Sequence, residues 1–460
     1  MKSQNWGLRN SLAACIAIFL VPTVANGGAQ NQTSDLQSSA VSPGPSYGQI
    51  FKENIQTAVA NHPRGAAAIA FRDSYRYRQR EAEAGRYPTL EVGVSGRYRM
   101  AENFENRFDN ITERSRRNTS ARLNITGRQL LFDAGRTAGR VASAKHAFMA
   151  AHEEYGQIVS AIALLAIESH FQVIFQRQRQ KLHQEIIVDH RLTLAKVKLR
   201  FESGRGPERD VALLESRLAL AEAEASLVRR TLDAAISQYE ENYGFLPETL
   251  KYPDIILNIP DSLEAAFEVG FQNNPSLSIA NSMMQSSKAS MKAEKAERLP
   301  QVSMELAATK YDLDRGNDDY DVTGRLVMNY SLYRGGATTA RISRSHKEYE
   351  RARHEEADTH RRVTREIKIA YQNIRPHDSR VVALKAATDA SKRNSEQLSE
   401  QFTTTGGSLL SLLEAKKDHY QVQEKYMSAL IEKEIMKYRL LDAMGILNMT
   451  LNIRLNKVEK

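Results

Sequence analysis

Residues 136–207 read RTAGRVASAKHAFMAAHEEYGQIVSAIALLAIESHFQVIFQRQRQKLHQEIIVDHRLTLAKVKLRFESGRGP. From Arg136 to Leu199 there is no proline, and Arg, Ala, Leu, Glu and Gln, all good helix formers, dominate. The stretch predicts one helix of roughly 95 Å at 1.5 Å per residue, several times longer than the usual length of about 11–12 residues. It breaks at Phe201-Glu202-Ser203-Gly204-Arg205-Gly206-Pro207. Glycine reaches positive φ and proline cannot continue a helix, so a tight turn belongs there. A second helix, Glu208 to about Glu241, runs back and stops near Gly244. This antiparallel hairpin is too thin to bury a core alone. It has to pack sideways against copies of itself.

One copy lies in the same chain. Shifted by 201 positions, Leu131-Phe132 meets Leu332-Tyr333, Gly135 meets Gly336, Phe201 meets Phe402 and Gly244 meets Gly445. Upstream the shift is 212: Asn61-His62-Pro63 meets Asn273-Asn274-Pro275, and Arg86-Tyr87-Pro88 meets Arg298-Leu299-Pro300. The offset changes in the loop between two short segments, where insertions are tolerated. The chain is a tandem duplication.

The 460 residues carry a net charge of +9, 41% hydrophobic residues and a mean hydropathy of -0.50, so no large globular core is implied. The charges alternate along helices, as in Arg177, Arg179, Lys181 and Glu185, which suits a solvated face rather than a nucleic-acid surface. Residues 1–25 read as a secretory signal, with Lys2 and Arg9 before the apolar Leu12–Val24 and a cleavage site at Thr23-Val24-Ala25. Leu12-Ala13-Ala14-Cys15 resembles a lipoprotein box, but the apolar stretch follows the cysteine, which argues against lipidation. Cys15 is the only cysteine, so the processed chain has no disulfide or thiolate site. Beyond the signal, Ile158–Ile167 is the longest apolar run and is too short to span a membrane as a helix.

Residues 26–46 are Ser/Gln/Pro-rich and expected to be disordered. Repeat 1 is assigned to 47–244, with a helix, a β-hairpin at 90–131 and the helical hairpin 136–243. A connector at 245–261 follows, broken by Pro247, Pro253 and Pro260. Repeat 2 is assigned to 262–445, with a helix, a β-hairpin at 301–333 and a helical hairpin at 337–444. A tail, 446–460, ends the chain. In the β-hairpins the pattern has period two. Leu90, Val92, Val94, Gly96 and Tyr98 alternate with Glu91, Gly93, Ser95, Arg97 and Arg99, and Val302, Met304, Leu306 and Ala308 alternate with Ser303, Glu305 and Ala307. Strands of about 10 residues are long enough to cross a bilayer at a tilt, and the same pattern suits a soluble hairpin with one face on a core. Between the strands, Met100–Arg117 and Tyr311–Tyr320 read as charged outer loops.

No catalytic, cofactor or metal motif emerges. His183 and His190 stand two helical turns apart, not at the metal-pair spacing. His354-Glu355 lacks the second zinc-binding histidine. Gly204-Arg205-Gly206 follows a helix, not a strand, so it is a turn rather than a dinucleotide loop.

The order of elements, with Asn61-His62-Pro63, Arg86-Tyr87-Pro88-Thr89-Leu90, Leu131-Phe132-Asp133-Ala134-Gly135, Arg200-Phe201-Glu202-Ser203-Gly204, Asp210-Val211 and Leu332-Tyr333-Arg334-Gly335-Gly336, resembles the TolC-type outer-membrane channels from about Tyr47 to Leu447. The resemblance implies an α+β membrane protein of two tandem repeats. Three chains, each giving four β-strands, would form a 12-stranded transmembrane β-barrel, continued by α-helical hairpins as a periplasmic tunnel. It also implies a non-enzymatic exit duct in the Gram-negative outer membrane, in contact with outer-membrane lipid and working with a periplasmic adaptor and an inner-membrane transporter. Turn residues Gly204, Arg205, Gly206, Thr405, Gly406 and Gly407 would meet the adaptor. The family's gate positions fall at Asp210, Ser411 and Glu414. Thr405 stands where the family has Gly, Gly407 where it has Arg, and Ser411 where it has a carboxylate. The Gly204–Val211 turn and the signal type look closer to type I protein secretion. Small-molecule efflux is the alternative, and a soluble periplasmic coiled-coil scaffold is the alternative of another class.

Overall fold

The structure is a computed structural model describing residues 46–101, 118–313 and 319–455. The signal, nearly all of the expected disordered leader, most of the two outer loops and the last residues of the tail lie outside the described residues. The elements run α1 (Tyr47–Asn61), α2 (Pro63–Ala84), β1 (Thr89–Tyr98), β2 (Thr119–Phe132), α3 (Arg136–Glu202), α4 (Glu208–Tyr243), α5 (Leu263–Asn273), α6 (Pro275–Ala296), β3 (Gln301–Lys310), β4 (Tyr320–Asn329), α7 (Ala337–Thr404), α8 (Leu409–Ala443) and α9 (Leu447–Thr450). The order α-α-β-β-α-α occurs twice.

Local chemistry repeats with it. His62 and Asn274 cap α2 and α6, each side chain accepting a backbone N–H two residues on, at 3.1 and 2.9 Å. Pro63 and Pro275 follow at the first helical position, where a missing N–H costs nothing.

The long helices α3 and α7 run the length of the helical body, and shorter helices share their flanks. Near the sheet the packing order is α2–α3–α6–α7, and beyond the middle it is α4–α3–α8–α7. The strand order β1-β2-β3-β4 follows the same sequence, all antiparallel.

The core sits where these layers meet. Phe51 and Ile55 of α1, Ile162, Ile167 and Phe171 of α3, Tyr239 and Tyr243 of α4, Ile367 of α7 and Leu440 of α8 are fully or almost fully buried there. The connector and the tail join it through Ile255, Leu257, Ile259, Ile453 and Leu455. Two equivalent side chains hold the connector ends. His170 of α3 bonds the Lys251 carbonyl at 3.0 Å, and Tyr371 of α7, 201 positions on, donates to the Asp261 carbonyl at 2.8 Å. Arg177 adds a bond to the Pro247 carbonyl at 2.8 Å. Burial pushes the His170 imidazole down to about 4.

One expectation needs correction. α3 does carry an 18-residue window apolar enough to pass for a membrane span by length and composition, and 61% of that window is buried inside the chain. Its apolar run, longer than Ile158–Ile167 suggested, serves the core.

Candidate channel wall and constriction

The register of the sheet sorts its side chains by chemistry. Val92 lies opposite Ile125, Ile125 opposite Ala308 and Ala308 opposite Val322. One residue on, Glu91, Thr126, Ala307 and Thr323 align. One face is therefore apolar across all four strands. It is unpacked within the chain: Leu90, Val94, Val322 and Leu326 are all exposed. The other face carries Arg97, Arg122, Arg128 and Arg325 with Glu91, Glu305 and Asp321. There Glu305 is only 3% exposed, covered by Arg128 on one neighbouring strand at 2.8 Å and Arg325 on the other at 2.7 Å. β1 and β4 each pair on one side only, leaving two open edges.

At the opposite end of the helical body are the two hairpin turns. Gly204 and Gly406 take φ of +71° and +76°, a conformation that disfavours any side chain. The Arg205 N–H donates to the Arg200 carbonyl at 2.8 Å. A Cβ added at Gly206 would lie 3.4 Å from Arg200 Cβ, so the turn leaves little room for a side chain there. Thr405 closes α7 with its N–H and its hydroxyl both on the Gln401 carbonyl, and the Gly407 N–H reaches the same carbonyl at 3.3 Å. A small apolar cluster of Val197, Leu214, Phe402, Leu409, Leu412 and Leu413 fastens the two hairpins above the turns.

The three expected gate residues do not share one environment. Asp210, the third residue of α4, is half-buried and pairs with Arg209 at 3.5 Å. Ser411 lies in the first turn of α8, its N–H capped by the Ser408 hydroxyl and its side chain exposed. Glu414 lines a groove of about 500 Å³ between α3, α4 and α8, together with Arg217, Lys417 and Gln421. That carboxylate shares its groove with the cations Arg179, Arg217 and Lys417 and with the carboxylates Glu224 and Glu424.

Sequence reasoning missed the bridges between the two hairpins. Lys416, 8% exposed, donates from α8 to Asp189 at 2.6 Å and to the Thr193 hydroxyl at 3.2 Å, both on α3. Burial pushes the Asp189 carboxyl up, but His190, 3.8 Å away, and the Lys416 hydrogen bond outweigh it and hold it below the usual carboxylate range. Arg179 of α3 pairs with Glu424 of α8 at 2.5 Å. Near the turns the Arg200 guanidinium sits 4.1 Å over the Phe402 ring and donates to the Phe402 carbonyl. One signal was available: Lys416 stands seven residues after the buried Leu409, on the packed row of the helix.

A sheet apolar on one face, polar on the other and continued by long helical hairpins defines the wall of a membrane channel. The chain belongs to the outer membrane efflux protein family, whose model matches residues 54–239 and 271–445. Among its relatives are the outer membrane efflux protein BepC of Brucella suis, 23% identical over 71% of this chain and 72% of that one, and the proteases secretion protein PrtF of Dickeya chrysanthemi, 24% identical over 61% and 60%. A solved membrane protein of Pseudomonas aeruginosa has the same fold, with a TM-score of 0.77 at 15% identity over 90% of this chain and 96% of that chain. The protein is an outer-membrane channel of the TolC type and not an enzyme. The soluble-scaffold reading falls with that assignment.

Proposed function

We propose that three copies of this chain close a single 12-stranded barrel and act as the exit duct of a tripartite transport machine. The observation that carries this is the four-stranded sheet with both edges open. Lipid tolerates no unpaired strand edge, and the smallest transmembrane barrels have about eight strands. The helical layers end in the same order as the sheet, with α2 and α4 on the β1 side and α7 on the β4 side. One head-to-tail contact therefore serves the sheet and the helices together, and such contacts close into rings.

Gly204, Arg205, Gly206, Thr405, Gly406 and Gly407 are the proposed contacts for a periplasmic adaptor leading to an inner-membrane transporter. Asp210, Ser411 and Glu414 are the proposed constriction, with Glu414 its strongest electrostatic contributor because it is exposed in the groove.

For the cargo we favour type I protein secretion. The Gly204–Val211 turn and the likeness to a proteases secretion protein support it. Small-molecule efflux is the second reading, favoured by the wider span of the match to a protein named for efflux. Deleting the gene separates them. Loss of exported proteins with unchanged tolerance of small toxic compounds supports secretion. Lost tolerance with an intact set of exported proteins overturns it. Detergent pull-down with mass spectrometry identifies the adaptor and transporter in the same cells.

A further inference from the structure

Where the sheet gives way to the helices, three guanidinium groups converge on one carboxylate. Glu297, just after α6, meets Arg341 at 2.6 Å through both its oxygens, Arg334 at 3.1 Å and Arg136 at 3.5 Å. The carboxylate is 5% exposed, whereas the arginines keep 38%, 47% and 27% of their side chains open to solvent. Arg140, one turn beyond Arg136 on the same face of α3, is exposed and makes no ion pair among the described residues. It stands 201 positions before Arg341, so both repeats place an arginine at this point. The nearby acid Asp133 is occupied by the Gly135 and Thr137 N–H groups at 3.0 and 2.6 Å. Three guanidiniums thus share one carboxylate, with Arg140 one turn away.

These cations sit against the preference of the helices that carry them. α3 and α7 both start here, and neither has an acid in its first turn. The positive ends of both helix dipoles add to the arginines, and a cation beside a helix N-terminus is unfavourable. Helix stability does not account for such an arrangement, but an anion held from outside does.

The neighbouring surface identifies the anion's carrier. Immediately beside the arginines are Phe132, Leu299, Leu332 and Tyr333, with Leu332 and Tyr333 each 85% exposed. This apolar collar is continuous with the apolar face of the sheet that the membrane covers. An apolar girdle edged by cations has the chemistry of the headgroup boundary, where Tyr and Arg are at home. We propose that Arg136, Arg140, Arg334 and Arg341 bind the phosphate of an anionic phospholipid in the leaflet next to the helical body, its acyl chains lying on the collar. The inference rests on the sheet crossing the outer membrane.

The test uses the detergent-extracted full-length oligomer reconstituted in nanodiscs of phosphatidylcholine, alone or mixed with phosphatidylglycerol. It is then returned to neutral detergent for native mass spectrometry. The expected result is selective retention of phosphatidylglycerol and a higher unfolding temperature in the mixed discs, with no such rise from inorganic phosphate. The double variant Arg140→Gln/Arg334→Gln, which spares the bidentate Arg341 pair, should lower retention roughly 30-fold, about a factor of five per arginine. Arg205→Gln/Arg209→Gln at the turns should leave it unchanged. Equal retention of both lipids, equal loss in the two double variants, or stabilisation by inorganic phosphate alone would overturn the proposal. Insertion into pure phosphatidylcholine, scored in parallel, reports on the membrane assignment independently.

Discussion

The two long helices descend from one duplicated sequence, yet α3 is densely buried along its middle whereas α7 is buried there only at Thr359, Val363 and Ile367. α3 is flanked on both sides in each layer and places Ile162, Ala166, Ile167 and Phe171 wholly inside the core. α7 lies at the end of both layers and buries a sparse row in which Ser345, Ala352 and Thr359 recur every seven residues. Phe175 of α3 packs on the core. Its counterpart 201 positions later is Pro376, inside α7, where a proline removes one backbone bond and crowds the carbonyl four residues earlier. The seam of the second hairpin carries a polar pair, Ser391 meeting His419 at 3.2 Å, as the first carries Thr231 on Gln176 at 3.1 Å. Duplication supplied two equal rods, and position in the layer made one a fixed axis and left the other at the edge.

The sharpest way to break this comparison is at paired glycines. Gly445 has φ +76°, and a Cβ there would lie 2.3 Å from the Asn273 carbonyl oxygen, whereas Gly244, at φ +79°, faces open space. Gly445→Ala should cost about 3–4 kcal/mol and Gly244→Ala about 1–2 kcal/mol, the backbone strain alone. Denaturant unfolding in detergent checks both, and equal costs would mean that the two repeats are packed alike.

The connector offers the next contrast, because an imidazole, His170, holds one end and a phenol, Tyr371, holds the other. Unfolded, the histidine takes up a proton near pH 6.5, and folded, only near 4. Its contribution is complete above pH 6.5 and is lost as the pH falls towards 4, on the order of 3 kcal/mol in all. His170→Gln should flatten that slope in a pH series of unfolding midpoints, and Tyr371→Phe should leave it unchanged.

Across the hairpins, Lys416→Ala strands Asp189 in a partly buried seam and should cost about 3 kcal/mol. Lys416→Met with Asp189→Leu should restore most of it, since the loss comes from the uncompensated charge. Pro376→Ala should slow hydrogen exchange in the part of α7 beyond it by about tenfold, the equivalent of about 1.4 kcal/mol. An unchanged rate would remove the proline from the asymmetry.

The duplication was readable because its landmarks are backbone constraints: glycines at positive φ, prolines at helix starts, and period-two strands. The unequal fates of the two copies were not, because a heptad row looks alike whether it meets a core or a neighbouring chain. Pro376 is plain in the sequence, but the helix continuing through it is a tertiary result. At the proposed constriction, Glu414 was singled out by its place after the turn. Arg217 and Lys417, which share its groove, come from a different helix and a different turn of the same helix. Glu414→Ala should consequently give the smallest effect, about a twofold fall in cation preference in planar bilayers. No change would move the constriction elsewhere.

The central claim is that an outward-facing edge on each side of this chain is closed by another copy. Native mass spectrometry of the full-length protein extracted from outer membranes tests it directly. The account predicts a single species with the mass of three chains, in which the amides of β1 and β4 are as protected from exchange as those of β2 and β3. A folded single chain with β1 and β4 exchanging freely would contradict it.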